Sequence, residues 1–192
     1  MSLDLLSTLA AVGTFFVIAA TAAAAVIQLR HLRASNQLTA FMTITQTFDH
    51  ASFRELLAYI RNDLADRARQ PEYRRDLLAH TGVDRVKYPE VIVCGFFEEL
   101  GIFVKRGLVD EAVFMDAYAS LIENNWRLLQ PFIAVTRSRS GAAVWENFEY
   151  LTVQAKRWRE KYPNGTLPKN FPRLPIDQSW ITSEVIEQLT KR

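Results

Sequence analysis

The first thirty residues contain one unbroken apolar segment. No charged residue occurs from Leu5 to Leu29, and a helix of that length is about 37 Å long. A hydrocarbon core of about 30 Å is thin enough for such a helix to cross. The pattern therefore predicts a transmembrane helix over residues 5–29, preceded by a short external N-terminus over residues 1–4.

Positive charge follows this segment at once. Arg30, His31 and Arg33 come directly after it, whereas no Lys or Arg precedes residue 30. Because positively charged flanks stay in the cytoplasm, we expect a single-pass protein of the inner membrane with its N-terminus outside and most of the chain in the cytoplasm. Two alternatives remain open, namely a cleaved signal peptide and a core helix buried in a soluble bundle.

Small side chains lie one helical turn apart within the span. Ala20 and Ala24 form a small-xxx-small pattern, which lets two helix backbones approach each other closely. The lipid bilayer is the first expected partner, and this alanine face predicts either a membrane-protein partner or a homo-oligomer.

The rest of the chain is predicted to be helical, which makes the protein all-α. Apolar positions at helical spacing continue through a stalk over residues 30–51 and into a bundle over residues 52–162. Ser52 and Glu55 form a capping-box pattern for a helix that ends near Arg69. Pro71 suits the start of a short helix that reaches His80 and is closed by Gly82.

Proline, glycine and aspartate mark the boundaries of the later helices. Pro89 begins the most apolar cytosolic helix, Gly107 ends it, and Asp110 caps the next one. That helix is expected to kink at Pro131 and to end near Ser140. A last long helix is predicted over residues 142–162, followed by a proline-rich tail over residues 163–192 with a short helix at 182–189.

Composition excludes several classes of protein. The 192 residues suffice for one domain with an appendage, and a formal charge of +2 is too weak for a dedicated nucleic-acid binder. We therefore expect no nucleic-acid partner, although basic residues surround Trp158. Cys94 is the single cysteine, so an internal disulfide and a cysteine-based zinc site are both excluded.

No known catalytic motif occurs in the sequence. The chain has no glycine-rich phosphate loop, no Gly-x-Ser-x-Gly and no His-Glu-x-x-His or Glu-x-x-His spacing. We therefore predict no catalytic residue, no cofactor and no metal site. The glutamates of the bundle are instead expected to form a buried polar network, whose proposed members are Glu98, Glu99, Arg127 and Glu149.

Three blocks of sequence resemble one bacterial family, the domain of unknown function forty-seven-sixty. The blocks are residues 28–37 (QLRHLRASNQ), residues 97–101 (FEELG) with 105–110 (KRGLVD), and residues 145–151 (WENFEYL). The likeness covers about Leu5 to Trp158 and leaves the proline-rich tail outside. It implies a membrane-anchored helical protein and brings no reaction, cofactor or catalytic residue.

Together these features favour a non-enzymatic function. We expect a membrane-anchored interaction module, scaffold or accessory subunit, because confinement to a membrane raises its effective concentration toward other membrane-bound proteins. The alternative is a self-assembling effector that disturbs the bilayer through its alanine-rich helix. A third possibility is an enzyme or metal protein that uses the bundle glutamates.

Overall fold

The computed structural model describes residues 3–79 and 84–177. Within these residues the protein is all-α, with seven helices and no strand, which confirms the predicted fold class. The helices are α1 (Leu3–Asp49), α2 (Ala51–Asn62), α3 (Leu64–Arg69), α4 (Pro71–Ala79), α5 (Glu90–Lys105), α6 (Glu111–Ser140) and α7 (Glu146–Lys161).

Helix α1 combines the apolar segment and the predicted stalk in one continuous element. Its 47 residues correspond to a length of about 70 Å. Every residue from 5 to 29 is exposed, and the most apolar window of the helix has none of its residues buried. The helix is long and apolar enough to cross a membrane, and the described part of the bundle does not enclose its apolar half.

The C-terminal end of α1 packs into the bundle. Ile44 and Phe48 are buried, and the Phe48 ring stacks on Tyr118 of α6 at 4.6 Å. Phe48 also meets Phe96 of α5 edge-on at 5.0 Å. The aromatic cluster packs the C-terminal end of α1 against α5 and α6, so the apolar segment and this packed end belong to one continuous helix.

Helices α2 to α4 differ from the prediction at their boundaries. Ser52 is not the N-cap of α2: the helix begins one residue earlier, His50 occupies the cap, and the Ser52 hydroxyl bonds to the His50 ring at 2.8 Å. The expected single helix up to Arg69 is interrupted at Asp63. Helix α4 begins at Pro71 as predicted, whereas Gly82 lies outside the described residues.

The boundaries of α5 and α6 agree with the sequence. Pro89 precedes α5, and Gly107 follows it with a φ of 64°, a left-handed conformation that favours glycine. Asp110 caps α6 by accepting a hydrogen bond from the Val113 amide at 3.0 Å. Helix α6 continues through Pro131 to Ser140, because a proline within a long helix removes one hydrogen bond without necessarily ending the helix.

Helix α7 begins four residues later than predicted, at Glu146. Trp145 precedes it in a left-handed conformation, with φ 61° and ψ 31°. The Arg137 guanidinium holds this strained turn by donating to the Val144 carbonyl at 2.9 Å and to the Glu149 carboxylate at 2.7 Å. Residues 163–177 form neither helix nor strand, and the short helix predicted at 182–189 lies outside the described residues.

Candidate functional site

The residues predicted to flank the membrane are all exposed on α1. Arg30, His31 and Arg33 lie within the first turn after the apolar segment. Ala20 and Ala24 are exposed as well, on the part of α1 that contacts no other described element. These residues are accessible to lipid or to a second helix, which is the condition that both predicted roles require.

The four residues expected to form one buried network are instead separate. Glu99 and Arg127 are exposed, and the Arg127 guanidinium bonds to Asn124 on its own helix at 2.8 Å. Glu149 is exposed too, and it pairs with Arg137 at 2.7 Å. The prediction is therefore wrong for the network as a whole, because these side chains leave their helices on different faces.

Glu98 is the member of that set with a defined structural role. Its carboxylate accepts hydrogen bonds from the Phe148 amide and from the Asn147 side-chain amide, both at 2.8 Å. A carboxylate at a helix N-terminus satisfies free amides and interacts favourably with the helix dipole. Glu98 of α5 thus caps α7, a role that the sequence did not reveal because the partners lie about fifty residues apart.

The contact between α5 and α7 around Glu98 is unusually close. A Cβ on Gly101 would lie 2.0 Å from the Asn147 carbonyl oxygen, so only glycine fits at that position. One turn earlier on α5, the Phe97 ring stacks on Phe148 at 4.7 Å. The blocks 97–101 and 145–151 are therefore two sides of one helix junction.

Glu90 is the most deeply buried charged residue in the described part of the chain, and it is not among the site residues predicted from the sequence. It is 0% exposed, and its Oε1 accepts hydrogen bonds from the hydroxyls of Tyr59 at 2.7 Å and Tyr73 at 3.1 Å. Its Oε2 is buried without a hydrogen-bond partner among the described residues. In the sequence Glu90 is recognisable only as an acidic residue in the first turn of a helix. Its burial could not be predicted, because its tyrosine partners lie on two other helices, α2 and α4.

Arg67 completes this buried cluster. Its guanidinium donates to the Tyr59 hydroxyl at 2.8 Å and to the Lys87 carbonyl at 2.6 Å. It also lies 5.1 Å from the centre of the Tyr73 ring and 5.8 Å from that of Tyr88, within the range of cation–π attraction. Arg67 thereby links α3 to the segment before α5 and supplies positive charge beside Glu90.

Burial and hydrogen bonding change the acidity of the tyrosines in this cluster. Burial, together with the neighbouring Glu90 carboxylate, raises the pKa of Tyr59 and of Tyr73 well above the ordinary value for tyrosine. Burial and the hydrogen bond to Asp76 raise the pKa of Tyr88 to about 12. All three hydroxyls therefore remain protonated hydrogen-bond donors at neutral pH.

These shifts predict loss of stability in alkali. A tyrosine whose pKa is higher in the folded state binds its proton more tightly there, so unfolding becomes easier once the pH exceeds about 10. Each tyrosine proton that only the folded state retains above pH 10 should lower the free energy of unfolding by at most about 1.4 kcal/mol per pH unit. Tyrosinate absorbance of the folded protein should lag behind that of the urea-unfolded chain above pH 10. Coincident titration curves would contradict the expected burial.

A surface pocket of about 340 Å³ lies next to the cluster. Arg67, Tyr73, Asp76, Lys87 and Tyr88 contribute to its lining. Asp76 interacts with both the Lys87 ammonium and the Tyr88 hydroxyl across this pocket. These hydrogen bonds and the Asp76–Lys87 ion pair connect α3, α4 and the segment before α5, so the cluster holds these parts of the bundle together.

The remaining candidates for chemistry have structural surroundings. Burial raises the pKa of the Cys94 thiol, which lowers the fraction of reactive thiolate. His31 is exposed on α1, His50 precedes α2, and His80 lies outside the described residues. Among the described residues, no three His, Cys, Asp or Glu side chains come close enough together to hold a metal ion.

Comparison with known proteins identifies a family. A family model described as Domain of unknown function (DUF4760) matches residues 15–158. The match begins inside the apolar half of α1 and ends within α7, so it includes part of the candidate membrane helix and leaves the proline-rich tail outside. No curated protein and no solved structure matches the chain. Since the matched range is more than half of its length, the chain belongs to the family described as Domain of unknown function (DUF4760).

Proposed function

We propose that this protein is a non-enzymatic, membrane-anchored interaction module, a scaffold or accessory subunit whose bundle is held at the cytoplasmic face of the inner membrane. The observation that carries the proposal is the continuity of α1. An exposed apolar half, long enough to cross a bilayer, continues as one helix to a C-terminal end whose Ile44 and Phe48 pack in the bundle core. Such a helix transmits the position of its anchor directly to the bundle.

The orientation rests on charge. Arg30 and Arg33 follow the apolar segment, and no basic residue precedes it. Under the positive-inside rule the bundle then lies in the cytoplasm. The α1 contacts of Ile44 and Phe48 keep the bundle within a fixed distance of the bilayer.

The non-enzymatic part of the proposal rests on what the matched blocks do. Glu98 and Asn147 cap and position α7, while Gly101 permits close helix approach. Glu90 holds tyrosines from two other helices. These polar residues form hydrogen bonds within the bundle and hold its helices together. Their structural role favours a binding function over a catalytic one.

Crosslinking in membranes tests the proposal. Full-length tagged protein is crosslinked mildly, extracted in detergent, and its crosslinked products are identified by mass spectrometry. A parallel sample carries an unrelated transmembrane helix in place of residues 5–29. A scaffold whose bundle binds partners should give the same heterologous membrane-protein crosslinks in both samples. Absence of any heterologous product would contradict the proposal.

The same experiment distinguishes the self-assembling effector, which the exposed Ala20 and Ala24 pair favours. An effector of that kind would crosslink chiefly to itself, would depolarise cells on induction, and would lose both properties when Ala20 and Ala24 are replaced by leucine. Under the scaffold proposal these two substitutions leave the heterologous crosslinks in place. Unchanged self-association in the leucine variant removes a role for the alanine face.

A further inference from the structure

The turn between α5 and α6 lies against α1 immediately after the candidate membrane span. The Gln37 side-chain amide donates to the Gly107 carbonyl at 3.2 Å. The Arg33 guanidinium lies 3.5 Å from the position that a Cβ on Gly107 would occupy. Arg33 and Gln37 are four and eight residues past Leu29, which is about 6 Å and 12 Å along the helix.

This turn is the membrane-proximal tip of the bundle. Along α1, the contacts of α6 advance in the same direction, from the Gly107 turn beside Gln37 to Tyr118 beside Thr45 at 2.8 Å. Helix α6 therefore runs away from the apolar segment. Helix α5 runs toward the segment and ends at the turn. Because a headgroup layer is about 5–8 Å thick on each side, the turn lies at its outer boundary.

The tip carries the chemistry of a membrane-surface contact. Leu108 is 53% exposed, and the exposed Arg106 and Lys105 precede it in the chain. Arg33 and Arg106 form no ion pair within the described part of the chain. The nearby acids are engaged elsewhere, since Asp110 caps α6 and Glu111 accepts a hydrogen bond from Gln154.

We propose that the α5–α6 turn is a second membrane contact, in which Leu108 enters the headgroup layer and Arg33 and Arg106 bind anionic phospholipids. The inference rests on the proposed membrane anchoring of α1 and deepens it by naming the lipid. Anionic lipid is the occupant favoured by charge, because Arg30, Arg33, Lys105 and Arg106 are all exposed beside the span and the turn, while the nearby carboxylates of Asp110 and Glu111 accept hydrogen bonds from other parts of the protein. Juxtamembrane basic residues are attracted electrostatically to such a surface.

Site-specific quenching in reconstituted bilayers tests this contact. A small fluorophore is attached to Leu108→Cys in full-length Cys94→Ala protein, in vesicles with a headgroup spin label. We expect at least twofold stronger quenching in vesicles of phosphatidylcholine with 30% phosphatidylglycerol than in phosphatidylcholine alone. Adding Arg33→Gln and Arg106→Gln should abolish that difference. Arg54→Gln with Arg61→Gln, which removes the same charge from exposed positions on α2, should leave it intact.

Two further labels separate failure of this inference from failure of the anchor. Val86→Cys lies at a 92% exposed position just before α5 and reports background quenching. Val17→Cys lies at the centre of the apolar segment and should be quenched by lipids that carry the spin label on the acyl chain. Suppose that residue 17 is quenched, so that the anchor holds. Quenching at residue 108 that equals the background, or that is equal in both lipids, then overturns the second contact alone. Absence of quenching at residue 17 overturns the anchor and the contact together.

Discussion

Replacing Gly101 by alanine is expected to lower the free energy of unfolding by about 2–4 kcal/mol. The added methyl group would lie 2.0 Å from the Asn147 carbonyl oxygen and 2.5 Å from its carbonyl carbon. These are backbone atoms at the start of α7, so they cannot move aside as a flexible side chain could. Relieving the clash requires α7 to shift, which also disturbs the Glu98 hydrogen bonds to Asn147 and Phe148.

A matched control exists on the same helix. Gly95 is an α5 glycine with nothing within 4 Å of the position that a Cβ would take. Gly95→Ala should change stability by less than about 1 kcal/mol, and in the stabilising direction, since alanine is the better helix former. Urea unfolding in detergent, followed by near-ultraviolet circular dichroism, compares the two variants. Equal stability of both would contradict the close α5–α7 junction.

Val17→Arg is expected to remove most of the free energy that favours membrane insertion. Eleven large apolar side chains in the segment favour insertion by roughly 3–7 kcal/mol together, and its hydroxyl and amide side chains reduce that sum. An arginine at the helix centre costs about 2.5–3.5 kcal/mol and also removes the contribution of valine. The remaining free energy is close to zero, so the carbonate-resistant fraction should fall to about half.

Two substitutions control for side effects of this change. Val17→Leu keeps the segment apolar and should insert as well as the original chain. Val86→Arg introduces the same charge at a 92% exposed position just before α5 and should leave both insertion and folding unchanged. Full insertion of Val17→Arg would show that the segment is held by something other than the apolar character on which our account depends.

Local signals account for the parts of the fold that the sequence predicted. Pro71, Pro89, Gly107 and Asp110 act on their own backbone, through a fixed φ, a left-handed turn or a side-chain cap. The uncharged run over residues 5–29 needs no partner to be recognised. The Ser52 prediction was wrong because a capping-box pattern also occurs inside a first turn, here two residues after the true cap, His50.

Contacts between distant segments account for what the sequence did not predict. Glu90 looks like an ordinary acidic residue in a first turn, and its partners Tyr59 and Tyr73 come from helices 31 and 17 residues away in sequence. Glu98 is one of the residues proposed for a buried network, but its actual partners at 147 and 148 depend on how α5 meets α7. Helical spacing places a side chain on a face, and only packing decides what that face meets.

The three blocks that carry the family resemblance contact one another in the structure. The second block has two parts, and each part contacts one of the other two blocks. Residues 28–37 contact residues 105–110 through Arg33, Gln37 and Gly107. Residues 97–101 contact residues 145–151 through Glu98 and Gly101. The first pairing fixes the bundle to the helix that leaves the apolar segment, and the second fixes α5 to α7. The blocks therefore define how the bundle is assembled on α1.

Alkaline carbonate extraction of cell membranes, followed by intact-mass measurement of the pelleted protein, tests the central claim most directly. If the apolar half of α1 spans the bilayer as a permanent anchor, the pellet contains the uncleaved chain of 22.0 kDa. Release of the whole chain into the supernatant would show that the helix does not span the membrane. A chain shortened by the mass of its apolar N-terminal segment would show that the segment is a cleaved signal sequence, and either result would contradict the account.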